Sequence, residues 1–195
     1  ISNSVYSLVR CKGGVVMMNY VAEDLTVIPK FLDKRLAITE ILPAQDHPND
    51  DLHHHVAMLH KLASGIDGKL VLASFGEDPT TKESIHPKMF HFQIGDVDSM
   101  VAGALALNTE KHRNVYAPLA VMKAELPAGK KGHADDVVAV LGIVADFDLK
   151  DDPDAGRYAE RLPIPPDFVV ESSPGSFQTG YVFESPLPLA DAKIL

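Results

Sequence analysis

Residues 137–148 read VVAVLGIVADFD. The run is β-branched, nearly continuous in apolar character, and far short of the ~18 residues a membrane-spanning helix needs. A strand of this kind is buried on both faces, which predicts a central place in a sheet. Asp146 and Asp148 close it. At i and i+2 on a strand, their side chains share a face.

Two carboxylates at the end of a buried strand repel one another and carry a desolvation penalty. A divalent cation relieves both, and Mg²⁺ favours one or two carboxylates completed by phosphate oxygens and water. The pair therefore nominates Asp146 and Asp148 as ligands of Mg²⁺ or Mn²⁺ in phosphoryl transfer, where two metals flank the reacting phosphate. The plainer account is an acidic strand end in water, because Asp151, Asp152 and Asp154 follow closely. An Asp-x-Asp pair alone does not separate the two.

Downstream, FVVESS (168–173) and FQTGYVFE (177–184) read as strands joined by a turn at PGS, with Gly175 supplying positive φ. Ser172, Ser173 and Ser176 could hold phosphate oxygens through hydroxyls and backbone N–H groups, but a plain polar hairpin is the preferred account of the serines taken alone. Residues 149–162 predict a loop and a short helix from Pro153, and 186–195 the opening of a helix. Upstream, KLVLASF (69–75), KMFHFQI (88–94) and NVYAPLAVM (114–122) are strand-like, with Pro118 marking an edge or a bulge. GEDPTTKESIHP (76–87) reads as a loop. GDVDSMVAGALALN (95–108) reads as a helix opening near Asp96 or Asp98. Asn49 or Asp50 caps a helix through LHHHVAMLHKLA (52–63), with Leu52, Val56, Leu59 and Leu62 on one face and Gly65 at its end. Residues 15–22 suggest a strand and 29–42 a helix. The alternation of elements predicts an α+β or α/β sheet protein.

With 46% hydrophobic and 23% charged residues, the 195-residue chain has the composition of an ordinary globular domain rather than a disordered one. The single Cys11 cannot form an internal bridge, which fits a reducing cytoplasm. The net charge of -9 argues against a wide non-specific DNA-binding surface but leaves room for a local site. No membrane segment or secretory signal is legible. The first residue is Ile, which points to a processed product or a piece of a longer chain.

Taken together, the strand ending in DFD and the later VVESSPGSFQTGYVF resemble the archaeo-eukaryotic-type primase superfamily, in particular the primase-polymerase domains of phage and plasmid replication proteins. Asp146 and Asp148 match that family's acidic strand motif, and Ser176, Phe177 and Gln178 fall where its second motif lies, with Gln178 in place of His. Gln can hydrogen-bond a phosphate oxygen, but it is neither cationic nor a proton donor in the manner of His. The family also carries an Asn-Val-Tyr strand, here Asn114 to Tyr116, so Asn114 and Tyr116 become candidates for lining the site.

The resemblance covers about residues 68–190. It implies an RRM-like antiparallel or mixed sheet with helices packed on one side, the acidic pair on the open face, and an N-terminal αβ part over 1–67 beside a catalytic core over 68–195. It implies nucleoside triphosphates as substrates, a single-stranded DNA template, and a helicase in the parent chain. Ser173, Gly175, Ser176 and Gln178 would position the triphosphate, with Arg113 and Lys123 offsetting its charge; Arg157 and Arg161, which follow the aspartates, are further candidates for phosphate contact. The family's third acidic residue is expected beyond Leu195, with Glu184 as the substitute inside the chain.

Two clusters are weighed separately by their residue types. His53, His54, His55 and His60 invite a metal, but consecutive helical residues point in different directions, and a solvent-facing helix start is the preferred account. Lys111, His112, Arg113, Lys123, Lys130, Lys131 and His133 concentrate positive charge around 114–122. A solvated loop explains Lys130 and Lys131 as well as a phosphate does. The leading expectation is a cytoplasmic nucleotidyltransferase that makes or extends primers. The alternatives are a non-catalytic replication-initiator or nucleic-acid-binding module of the same fold, and a metal-dependent nuclease or phosphohydrolase.

Overall fold

The computed structural model describes residues 8–10, 50–110, 112–147, 164–173 and 176–193, with 8–10, 50 and 171–173 as backbone alone. The elements expected at 15–22, at 29–42 and after Pro153 lie outside these residues. In chain order the described elements are β1 (Leu8–Arg10), α1 (Asp50–Leu62), β2 (Lys69–Glu77), β3 (Ser84–Gln93) and α2 (Val97–Asn108). They continue with β4 (Arg113–Tyr116), β5 (Ala120–Met122), a single 3-10 turn (Ala134–Asp136), β6 (Val137–Phe147), β7 (Phe168–Ser173), β8 (Ser176–Leu187) and α3 (Leu189–Ala192).

The fold is α+β. One sheet runs β1-β7-β8-β6-β5-β2-β3, with β4 also paired to β2. Its pairings are antiparallel except for β1, which lies parallel to β7. The apolar run at 137–147 is central as expected, between β5 and β8. Pro118 falls in the break between β4 and β5, where its missing N–H leaves no gap in a ladder.

The main core lies on one side of the sheet. Leu52, Val56, Leu59 and Leu62 of α1 and Met100, Ala104 and Leu107 of α2 pack there on Leu70, Leu72, Val115, Leu141, Val144 and Val182. Asp96 caps α2 by accepting from the Ser99 N–H. The short α3 packs on the other side, against Val140, Phe183 and Leu187, so the described helices are not confined to one face.

Three local expectations are corrected. The stretch 76–87 is loop only in its middle: β2 runs to Glu77 and β3 starts at Ser84, joined by a turn in which Asp78 accepts from the N–H groups of Thr80 and Thr81. Residues 186–187 extend β8 instead of opening a helix. Pro186 sits where the β6–β8 ladder slips, so its lack of an N–H is tolerated. The histidines are not a solvent-facing helix start. His55 and His60 are buried, and the His55 ring meets Phe168 of β7 edge-on at 5.1 Å. Burial alone drives the His55 pKa down to about 4. His60 is lowered for the same reason, and its Nδ1 accepts from the Gly95 N–H at 2.8 Å.

A slip in the central ladder positions everything at the end of β6. Early in the strand Ala139 and Leu141 face the main core, while Val140 faces the smaller cluster. Strict alternation would send Ile143 and Ala145 to the main core. The ladder instead jumps from Val140↔Leu187 to Gly142↔Val182, after which Val144 faces the main core and Ile143 the opposite side.

Candidate functional site

Asp146 follows Val144 by two residues and is directly paired with Gln178 of β8, which in turn pairs with Val170 of β7. Directly opposed residues share a face. Asp146, Gln178, Val144 and Val170 therefore lie on the main-core side, at the end of the sheet. Asp146 is exposed there, while Gln178 is 1% and Ser176 3% exposed. The hairpin closes with Ser173 paired to Ser176. The structure thus brings Asp146, Ser173, Ser176 and Gln178 onto three adjacent strands. Asp148 and Gly175 lie outside the described residues, as do Arg157 and Arg161.

This corner is held in register by the segment leading into β7. The Asp167 N–H donates to the Gly180 carbonyl at 2.8 Å, and its carboxylate accepts from the Val182 N–H at 2.9 Å. The Tyr181 hydroxyl donates to the Ile164 carbonyl at 3.1 Å. Gly180 lies under the Phe168 ring: a Cβ there would come within 1.9 Å of Phe168 Cζ, so only glycine permits this approach.

The other predicted residues are placed elsewhere or are engaged. Asn114 and Tyr116 alternate with Val115, which is in the main core, so they lie on the opposite face from Asp146. The cause is the slip in β6, which moves Asp146 to the core side while β4 and β5 keep strict alternation. Arg113 stands at the same end of the sheet as Asp146, but its guanidinium is 3.0 Å from Glu110 and donates to the His86 carbonyl at 2.8 Å. Lys123 is at the far end. It follows Met122, which pairs with Val137 at the start of β6, about 30 Å from Asp146 at ~3.3 Å per residue. Its ammonium binds Asp136, whose carboxyl is held below its ordinary range by that hydrogen bond and by the His133 N–H. Glu184 lies on β8 six residues from Gln178, about 20 Å away at the same rise.

Among the described residues, no three His, Cys, Asp or Glu side chains gather in a way that could hold a metal ion. Of the expected carboxylate pair they contain Asp146 alone. No described helix is long and apolar enough to cross a membrane. Comparison with protein-family models, with curated proteins and with solved structures returns no match.

One grouping has no local signature in the sequence. Phe75, at the end of β2, meets Tyr116 edge-on with ring centroids 5.5 Å apart, and Lys131 places its ammonium 5.5 Å from the Phe75 centroid. Alternation along KLVLASF puts Phe75 opposite Leu72 and Ser74, but nothing local in the sequence brings a loop some 55 residues away over its ring.

Proposed function

We propose that the chain carries the catalytic face of a metal-dependent nucleotidyltransferase of the primase-polymerase type, built on an RRM-like sheet. The observation that supports this reading most is the pairing of Asp146 with Gln178: the acidic strand motif and the second motif, distant in sequence, are side by side on one face. Asp146 and Asp148 would hold Mg²⁺ or Mn²⁺. The bound metal would polarise the α-phosphate and ease deprotonation of the attacking 3′-hydroxyl. Ser173, Gly175 and Ser176 would receive the triphosphate at the hairpin. Gln178, buried beside Asp146, acts in this reading as a positioning residue.

The test is template-dependent incorporation of labelled nucleotide with Mg²⁺ or Mn²⁺ by the full-length protein and its Asp146→Ala and Asp148→Ala variants. Loss of synthesis in both is expected. Unchanged synthesis in both would sink the mechanism.

A second reading is a nucleic-acid-binding module of the same fold without catalysis. It is favoured by the engagement of Arg113 with Glu110 and His86 and of Lys123 with Asp136, which leaves neither side chain poised for a triphosphate. Titration separates the two readings: DNA binding together with no binding of nucleotide or metal supports the second.

A further inference from the structure

The face of the sheet opposite Asp146 carries a grouping that the metal chemistry does not use. Phe75 and Tyr116 sit half-buried on adjacent strands, with their rings at 67° to each other. Asn114, exposed beside them, donates its side-chain amide N–H to the Tyr116 hydroxyl at 3.4 Å. The described helix residues that pack on β2 and β4 do so from the other side. An aromatic pair in this setting presents π surface without being enclosed in the core.

A cationic loop is fixed next to those rings. Its backbone turns at Gly129 (φ 76°) and Gly132 (φ 85°), and the Lys130 carbonyl lies 2.7 Å from His91 Nε2 on β3. Lys130 and Lys131 are thereby carried to the rim of the patch. Lys123, Lys82, Lys88 and Arg113 each have a carboxylate partner. The ammonium groups of Lys130 and Lys131 have none among the described residues, and that of Lys131 reaches the Phe75 ring instead. In a chain of net charge -9, uncompensated cations beside an aromatic pair fit an anionic ligand with flat apolar groups.

We infer that Phe75, Tyr116, Lys130 and Lys131 form a binding surface for single-stranded nucleic acid. An unpaired base stacks on the Phe75–Tyr116 rings, the Asn114 amide lies within reach of its edge, and the adjacent phosphates meet the two lysines. Duplex is a poor fit, because its bases are already stacked and paired and cannot lie on a ring. The surface is on the opposite face from Asp146 and needs no metal, so it stands whether or not Asp146 is catalytic.

The experiment is fluorescence anisotropy of a labelled oligothymidylate with the intact chain, in EDTA, at low salt and without nucleoside triphosphate. The unmodified chain should bind, with affinity falling as salt rises. Phe75→Leu, which keeps apolar volume but removes the ring, should weaken binding about tenfold. Lys131→Gln, a substitution on a surface loop that spares the core, should weaken it and flatten the salt dependence. Absence of binding by the unmodified chain, wild-type affinity in Lys131→Gln, or equal affinity for a blunt duplex would each overturn the assignment. Because metal and nucleotide are omitted, failure here is distinguishable from failure of the polymerase reading.

Discussion

The Asp146 corner and the Phe75–Tyr116 patch lie on opposite faces of one sheet, and they are built by different means. At the corner, polar side chains stand on paired strands whose register is fixed through Asp167, Gly180 and Phe168. At the patch, strand aromatics are joined by a loop distant in sequence, which supplies the charge. The first arrangement offers an exposed carboxylate beside the buried side chains of Gln178 and Ser176. The second offers π surface and, among the described residues, lysines with no carboxylate partner. The contrast teaches that one slip of a central strand is enough to divide residues that would otherwise share a face into two separate neighbourhoods.

The sharpest way to break that division is to compare substitutions on the two faces in one assay. Asp146→Ala should lower template-dependent incorporation by at least about a hundredfold, since an electrostatic role at the transferred phosphate is worth several kcal/mol. Asn114→Ala, on the opposite face, should change incorporation at saturating template less than about twofold. A comparable loss in both would mean that the two faces act as one site.

Stability experiments come next. Gly180→Ala drives a methyl into the Phe168 ring. It should destabilise the fold by about 3 kcal/mol, at the upper end for overpacking, as read by urea unfolding. Phe168→Leu should recover part of that loss, because a smaller side chain leaves room for the methyl. Failure of the second substitution to compensate would show that the constraint lies elsewhere than in the ring.

A pH series probes the buried helix behind the corner. The folded-state pKa of His55 is depressed to about 4, from an ordinary value of 6.5. Above about pH 7.5 the imidazole is neutral in both states and adds no pH dependence. As the pH falls through 6.5 towards 4, the unfolded chain takes up the proton first, so stability is lost across that window. Between pH 7.5 and pH 5 the loss attributable to His55 is about 2 kcal/mol. In urea melts His55→Leu should remove that part of the slope, and an unchanged slope would reassign the proton uptake to other groups.

The smallest effect is expected at Lys123. Its partner is Asp136, and it stands at the other end of β6 from Asp146. Lys123→Ala should leave incorporation within about twofold of the unmodified protein. A large loss would bring the far end of the strand back into the reaction.

The sequence by itself determined a good deal of this. The apolar run 137–147 specified a central strand because only burial on both faces accommodates it. The spacing of Leu52, Val56, Leu59 and Leu62 determined which side of α1 enters the core. The motif around Asp146 and the one around Gln178 were both legible as local patterns, and the structure pairs them. Other features were decided only by the tertiary structure. The slip between Val140 and Gly142 is a property of the β6–β8 pairing, and it alone sends Asp146 away from Asn114 and Tyr116. Arg113 and Lys123 looked like free phosphate partners until Glu110, His86 and Asp136 arrived beside them. His55 looked solvent-facing until Phe168 of a distant strand covered it. The reason is common to all three. Periodicity encodes which side of its own element a residue occupies, whereas register and the identity of the neighbour belong to pairs of segments far apart in the chain.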